Sequence, residues 1–165
     1  MRILMAGTGS DPASRNNFDR TVRQPADLTP YRDLLTPAER AQLNQAGWHT
    51  PIWGIDPRKR GSGVADLSTG DQAWFHHAGY IRHIATITAV LGNRALDQAL
   101  WPGSTYPATG FIFTLTGLTD VEIAKTEINT LLGYKPRYTW QGNQLLDEAK
   151  SHLLAGLAAV EFRAG

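Results

Sequence analysis

The sequence predicts a mixed α+β fold: a small β-barrel flanked by short helices and ending in a C-terminal helix. Three observations carry this. Between Gln72 and Leu118 lie three runs of β-branched, aromatic and small residues, the composition of strands that pack on both faces. Short helices with readable caps interrupt these runs. The tail, residues 144–160, returns to helical spacing. A doubly wound α/β fold is not indicated, because the helices do not alternate regularly with strands.

The elements follow in order. The first segment, through about Leu28, is rich in Asp, Asn, Ser and Arg and reads as loop and short helix. Thr36-Pro37-Ala38-Glu39 is a capping box with proline at the first helical position, and Gly47 is a natural stop for that helix. Ile52 to Ile55 is short and apolar, Arg58 to Gly63 is a basic, glycine-rich loop, and Ser68-Thr69-Gly70-Asp71 is a turn. Strands are expected from Gln72 to His77 and from Tyr80 to Leu91, joined by a tight turn at Ala78-Gly79. Asn93 caps a short helix ending near Leu100. Gly110 to Leu118 is another strand, and a helix from about Lys125 to Leu132 stops at Gly133. In the tail, Leu146, Ala149, Leu153 and Leu157 form the expected apolar stripe.

At 165 residues and 42% hydrophobic content the chain is long enough for one domain, 1–165, with its own core. It holds no cysteine, which excludes disulfide staples and thiolate metal sites and fits a reducing compartment. The N-terminal apolar run is too short for a signal peptide, and no stretch is long enough to span a membrane, so a cytoplasmic location without membrane contact is expected. A net charge of +1 sets a condition on nucleic-acid binding: affinity must come from a local basic patch and a pocket rather than from bulk charge.

Trp53-Gly54-Ile55, then Gly70-Asp71 with Trp74-Phe75-His76, then the apolar run Ile84 to Val90, resemble the EVE family of PUA-like domains. That family shows a Trp-Gly-hydrophobic element, a "GDxVLFY" strand and an "IxGIGxV"-like run. Three further pieces are similar to EVE-like domains of restriction systems that act on modified DNA: Arg15-Asn16-Asn17-Phe18-Asp19-Arg20-Thr21-Val22, Ala95-Leu96 to Leu100-Trp101, and Ile128 to Tyr134. The resemblance spans about residues 15–147, leaving 148–165 as C-terminal helix and tail. It departs from the family at His76, where tyrosine is usual, and in the bulk of Trp74. It implies a PUA-like (EVE-type) small mixed β-barrel that captures a flipped, modified (methylated) base of DNA in an aromatic pocket. It also implies a nuclease domain or subunit as partner.

Base capture needs aromatic surfaces, edge contacts and cations for phosphate. Five tryptophans supply the first. The candidate pocket residues are Trp53, Trp74, His76, Tyr138, Trp140 and Gln141; Trp53 would serve equally as a plug of the barrel end. Arg58, Lys59 and Arg60, with Lys135 and Arg137, are the candidate phosphate contacts, and Arg15, Asn16 and Asn17 secondary ones. Alternation puts Gln72, Trp74 and His76 on one strand face, with Ala73 and Phe75 in the core. Trp53, the Arg58–Arg60 loop, Trp74, His76 and the Tyr138–Gln141 cluster are expected around one opening. His76 and His77 are neighbours on a strand and point to opposite faces, so they do not chelate together, and no metal or cofactor motif accompanies them. No catalytic motif is present, so the chain reads as a binding module rather than an enzyme. Two alternatives stay open: an RNA-binding PUA-like module, and a small-molecule or nucleotide hydrolase using His76 with Asp71.

Overall fold

Thirteen- and fourteen-residue runs of strand formers, β6 (Tyr80–Gly92) and β7 (Phe111–Ala124), make the longest ladder of the molecule. The computed structural model describes residues 1–140 and 142–164, the last five as helix backbone. The other strands are β1 (Ile3–Gly7), β2 (Ala26–Asp27), β3 (His49–Thr50), β4 (Ile52–Gly54), β5 (Gln72–His77) and β8 (Gln144–Leu145). The helices are α1 (Pro12–Phe18), α2 (Pro37–Ala46), α3 (Arg94–Leu100), α4 (Lys125–Leu131) and α5 (Glu148–Ala164).

Six strands form one sheet in the order β4-β7-β6-β5-β1-β8, and every neighbouring pair is antiparallel except β1 with β5. The β6–β7 register slips between Ile81 and His83, Ile84 and Thr86, and Ile87 and Ala89. Each slip adds twist, and together they curl the sheet into a half-barrel. The edge strands β4 and β8 do not pair with each other. The segment between them spans the gap instead: Ile55 N–H donates to the Phe111 carbonyl at one end, and Leu145 N–H donates to the Ser62 carbonyl at the other. The basic loop is thus a strap across the open side of the half-barrel. The β5–β6 hairpin turns on Ala78 (φ 48°) and Gly79 (φ 84°), both left-handed as a two-residue turn of this kind requires.

The sheet is covered on both faces. Leu4, Ala6, Ala73, Phe75, Ile87 and Phe113 meet Phe18, Leu43 and Leu96 from the helices on one side. Ile3, Met5, Trp74, Ile84 and Ile123 meet Ile128, Trp140 and Leu154 on the other. The capping box of α2 forms as read: Glu39 N–H donates to Thr36 Oγ1, and Thr36 N–H to the Glu39 carboxylate. Asn93 caps α3 through Leu96 N–H and also donates to Glu39 Oε2, joining the starts of two helices.

Three expectations need correction. The first segment is not only loop and short helix, because Ile3–Gly7 is a strand buried on both faces. A five-residue apolar run with no alternation carries no period to read. The strand expected to end at Leu118 runs on to Ala124 through exposed polar residues. The tail stripe is displaced: the helix begins at Glu148, and Ser151, Leu154 and Ala158 face the core while Ala149 and Leu153 are exposed. The strand β8 and the Asp147 cap, whose carboxylate accepts from Lys150 N–H, shift the start of the helical phase.

Asn129, 1% exposed, ties the loop after α4 to the second core. Its amide donates to the carbonyls of Pro136 and Tyr138, and its oxygen accepts from the Trp140 indole. Asn129→Ala strands those buried groups and is expected to cost about 2–3 kcal/mol in a urea unfolding titration.

Candidate functional site

A cleft of about 950 Å3 opens between the end of β1, α1, the strap and the loop after α3. The chain converges there for local reasons. β1 ends at Gly7, and the following turn needs Gly9, whose φ of 82° is left-handed and whose missing Cβ would lie 2.2 Å from Ser14 Cβ. That turn leads into α1, capped by Asp11, which accepts from both the amide and the hydroxyl of Ser14. The two hydrogen bonds hold the Asp11 carboxyl below its ordinary range. Gly54 in β4 lets the Trp101 ring approach, since a Cβ there would meet it at 3.0 Å.

The walls are aromatic. Trp53 stands edge-to-face with Trp101 at 5.8 Å and with Phe18 at 5.4 Å, and Tyr106, 61% exposed, stands on the loop above. Trp53 itself is 8% exposed, a member of the first core that also lines the cleft. The polar residues of the lining include His76, His77, Asn17, Asn143 and Asp97. Asp97 accepts from Gly110 N–H, and burial nevertheless raises its carboxyl above the ordinary range.

His76 is the most perturbed group. Burial first, then the charge of Lys125 and of His77, push its ring down to about 4, so it is neutral at pH 7. Trp140 packs edge-on against it at 5.5 Å, and Lys125 Nζ lies 4.8 Å from the Trp140 ring centre. Its Nε2 is buried and has no hydrogen-bond partner among the described residues.

Of the residues singled out in the sequence, Trp53, His76, Arg58, Lys59 and Asn17 line the cleft. Arg58 holds Asp56 through two hydrogen bonds of 2.9 and 2.7 Å; that exposed pair is weak enough in water for a phosphate to displace. Lys59 reaches toward Gly142 on the opposite rim, its Nζ 3.8 Å from where a Cβ would stand. Arg60, Arg15 and Asn16 are exposed and outside the lining.

Other placements differ from expectation. Trp74 is fully buried in the second core, its indole donating to Gln72 Oε1, and presents no surface to a ligand. Alternation was read correctly, but that face of β5 is roofed by α4 and α5. Tyr138 stacks on Tyr134 at 4.8 Å, and neither it nor Lys135, Arg137 or Trp140 lines the cleft. Trp140 acts from behind, against His76. Gln141 lies outside the described residues. The expected single opening therefore gathers Trp53, Arg58, Lys59 and His76, but not Arg60, Trp74, Tyr138 or Trp140. His76 and Asp71 do not form a pair: they lie at opposite ends of β5, and Asp71 accepts from Arg2 and Ser68. Trp101, Tyr106, Asp97, Asn143 and Gly7 were not selected from the sequence. The one available signal was Trp101-Pro102-Gly103 with Tyr106-Pro107, an aromatic and proline-rich loop too long to be a simple connection.

No family model matches the sequence, and no curated protein does. Among solved structures, the fold is similar to the N-terminal domain of Thermococcus gammatolerans McrB, solved bound to m5C DNA. The TM-score is 0.66 and the identity 14%, over 96% of this chain and 98% of that one. At that identity the likeness establishes the shared fold: a mixed α+β half-barrel with short helices and a C-terminal helix.

The depressed His76 has a consequence for stability. Unfolded, the ring takes a proton near 6.5; folded, it refuses one to about 4. Stability is therefore lost as pH falls through that window. His76→Gln should remove this dependence, so that by about pH 4.5 the wild type has lost about 2–3 kcal/mol more than the variant in chemical denaturation.

Proposed function

We propose that this chain is a reader of modified DNA, which takes a modified base out of the helix and holds it in the cleft between Trp53, Trp101 and Tyr106. The observation that carries the reading is this aromatic cleft, flanked by Arg58 and Lys59, on the fold of a domain solved with m5C DNA. The energetics are consistent with it. Extruding a base costs a few kcal/mol, and stacking on aromatic walls returns about 1–3 kcal/mol per base. A cleft of about 950 Å3 is roomy for one base and its sugar.

With a net charge of +1, phosphate attraction alone gives weak binding, and the captured base must supply the selectivity. Lys59 on the rim is placed for a phosphate beside the extruded nucleotide. The fold and the motif resemblance together support membership among EVE-type PUA-like modules. They also support a role in directing a nuclease domain or subunit to modified DNA; the chain itself then binds rather than catalyses. The wide cleft, open to the strap and the Tyr106 loop, accepts an extruded nucleotide from a duplex without opening of the barrel.

The test is a titration of labelled duplexes that differ in one base only, carrying cytosine, 5-methylcytosine, adenine or N6-methyladenine, at fixed salt. One modified duplex should bind at least about tenfold more tightly than its unmodified counterpart. Equal affinity for all four, or stronger binding to single-stranded RNA of the same sequence, contradicts the proposal. Lys59→Ala should weaken modified and unmodified DNA alike and reduce the salt slope by about 1. Trp101→Ala should instead abolish the preference for the modified base.

A further inference from the structure

The lining of the cleft holds two acids, Asp56 and Asp97. Asp56 is taken up by Arg58, which donates two side-chain hydrogen bonds to it. Asp97 has no cation at ion-pair distance among the described residues. Its Oδ2 accepts from Gly110 N–H at 2.9 Å, and no hydrogen bond among those residues reaches its Oδ1. The one fully buried side-chain nitrogen or oxygen left without a partner there is His76 Nε2, so the unpaired Asp97 Oδ1 keeps accessible surface. Asp97 as a whole is half-buried. A carboxylate with one oxygen held and one oxygen open therefore stands in the lining.

The fold holds that carboxylate in place. Asp97 lies on α3, where Trp101 N–H closes the last turn on the Asp97 carbonyl at 3.1 Å. The acceptor and the Trp101 ring are thus carried by one short helix. Gly110, the donor to Oδ2, is fixed as well: its carbonyl accepts from Asn93 N–H, its φ is 81°, and a Cβ there would lie 2.6 Å from Arg94 N. Beside it the Thr109 hydroxyl donates to the Ile55 carbonyl, joining this corner to the strap. A group pinned by neighbours that are themselves pinned is preorganised for recognition.

We infer that Asp97 is a specificity-determining residue of the cleft, whose Oδ1 accepts a hydrogen bond from the exocyclic amine of a base stacked on Trp101. This rests on the reading of the cleft as a base pocket and names the class of base it takes: cytosine or adenine derivatives, and not thymine.

The chemistry follows from the charge. Burial raises the Asp97 carboxyl, while the backbone of Gly110 and Thr109 and the charge of Arg94 favour its ionised form. In that form it accepts hydrogen bonds and has none to give. Phosphate is repelled by it and attracted instead to Arg58 and Lys59. An amine satisfies the open oxygen, as when an acidic side chain reads the N4 amine of cytosine. Thymine places a carbonyl where that amine would be, so two oxygens face each other with no proton between them.

Two probe pairs isolate the amine. In the first, 5-methylcytosine or thymine occupies one position opposite guanine; the methyl is common to both, and the mismatch makes thymine the easier base to extrude. In the second, N6-methyladenine is compared with N6,N6-dimethyladenine, which has no N–H to give. Each pair is titrated by fluorescence anisotropy against wild type, Asp97→Ala and Asp97→Asn. The asparagine variant keeps an oxygen for Gly110 N–H and replaces the open acceptor by a donor. It therefore tests the contact even where Asp97→Ala fails to fold.

The wild type should favour the amine-bearing member of the pair it binds by about tenfold or more. Asp97→Ala should lose most of that preference. Asp97→Asn should lose it too and, on the pyrimidine pair, turn it toward thymine, whose carbonyl accepts the new N–H. A preference retained by Asp97→Asn overturns the inference. So does an equal fall in affinity for both members of the pair in that variant, which is what a purely structural Asp97 would give. Equal binding of the two members by the wild type, with modified DNA still preferred over unmodified, overturns it and leaves the base-pocket reading intact. Absence of preference for any modified duplex removes the base-pocket reading and this inference with it.

Discussion

The strand β1 separates the two hydrophobic cores, and the remaining architecture depends on its insertion between β5 and β8. Four of its residues are almost fully buried, with Leu4 and Ala6 in one core and Ile3 and Met5 in the other. A strand buried on both faces needs both hydrogen-bonding edges occupied. β5 fills one in parallel register and β8 the other. Because β1 comes from the N-terminus and β8 from after α4, this arrangement draws distant parts of the chain to one end of the sheet. Gly7, at the end of β1, is where sheet gives way to cleft.

The cleft inherits its chemistry from that position. One core supplies its aromatic wall, Trp53 and Trp101, while Trp140 of the other core braces His76 from behind. The strap from Ile55 to Ser62 closes the side where the edge strands fail to meet and carries Arg58 and Lys59 to the rim. The lining therefore combines the cations of the strap with the rings of Trp53 and Trp101 and a polar group that includes His76 and Asn143. That combination suits a ligand with an anionic backbone, a flat π-surface and a hydrogen-bonding edge.

Much of the central sheet and the helix caps was legible in the sequence, because strands with two covered faces and capping residues write themselves locally. Thr36 to Glu39, Asn93 and the Ala78-Gly79 turn each work through contacts within a few residues. β1 was not legible: its meaning lies in partners about 70 and 140 residues away. Trp74 shows the limit at the site. Period two put it correctly on the face of His76, but which face receives a roof is decided by α4 and α5. Lys135 to Tyr138 looked like a basic-aromatic site because composition reports chemistry and not place. Trp101 and Tyr106 went unselected for the converse reason, since only tertiary packing brings their loop over Trp53.

The central claim, that one base leaves the helix and enters the Trp53–Trp101 cleft, is tested most directly by a duplex carrying 2-aminopurine beside the modified base. Its emission is quenched while the neighbour remains stacked and rises when that neighbour is withdrawn. Saturating the modified duplex with this protein should raise emission several-fold, and Trp101→Ala should abolish the rise. Tight, selective binding with no change in emission would contradict extrusion and require that the modified base be read within the intact helix.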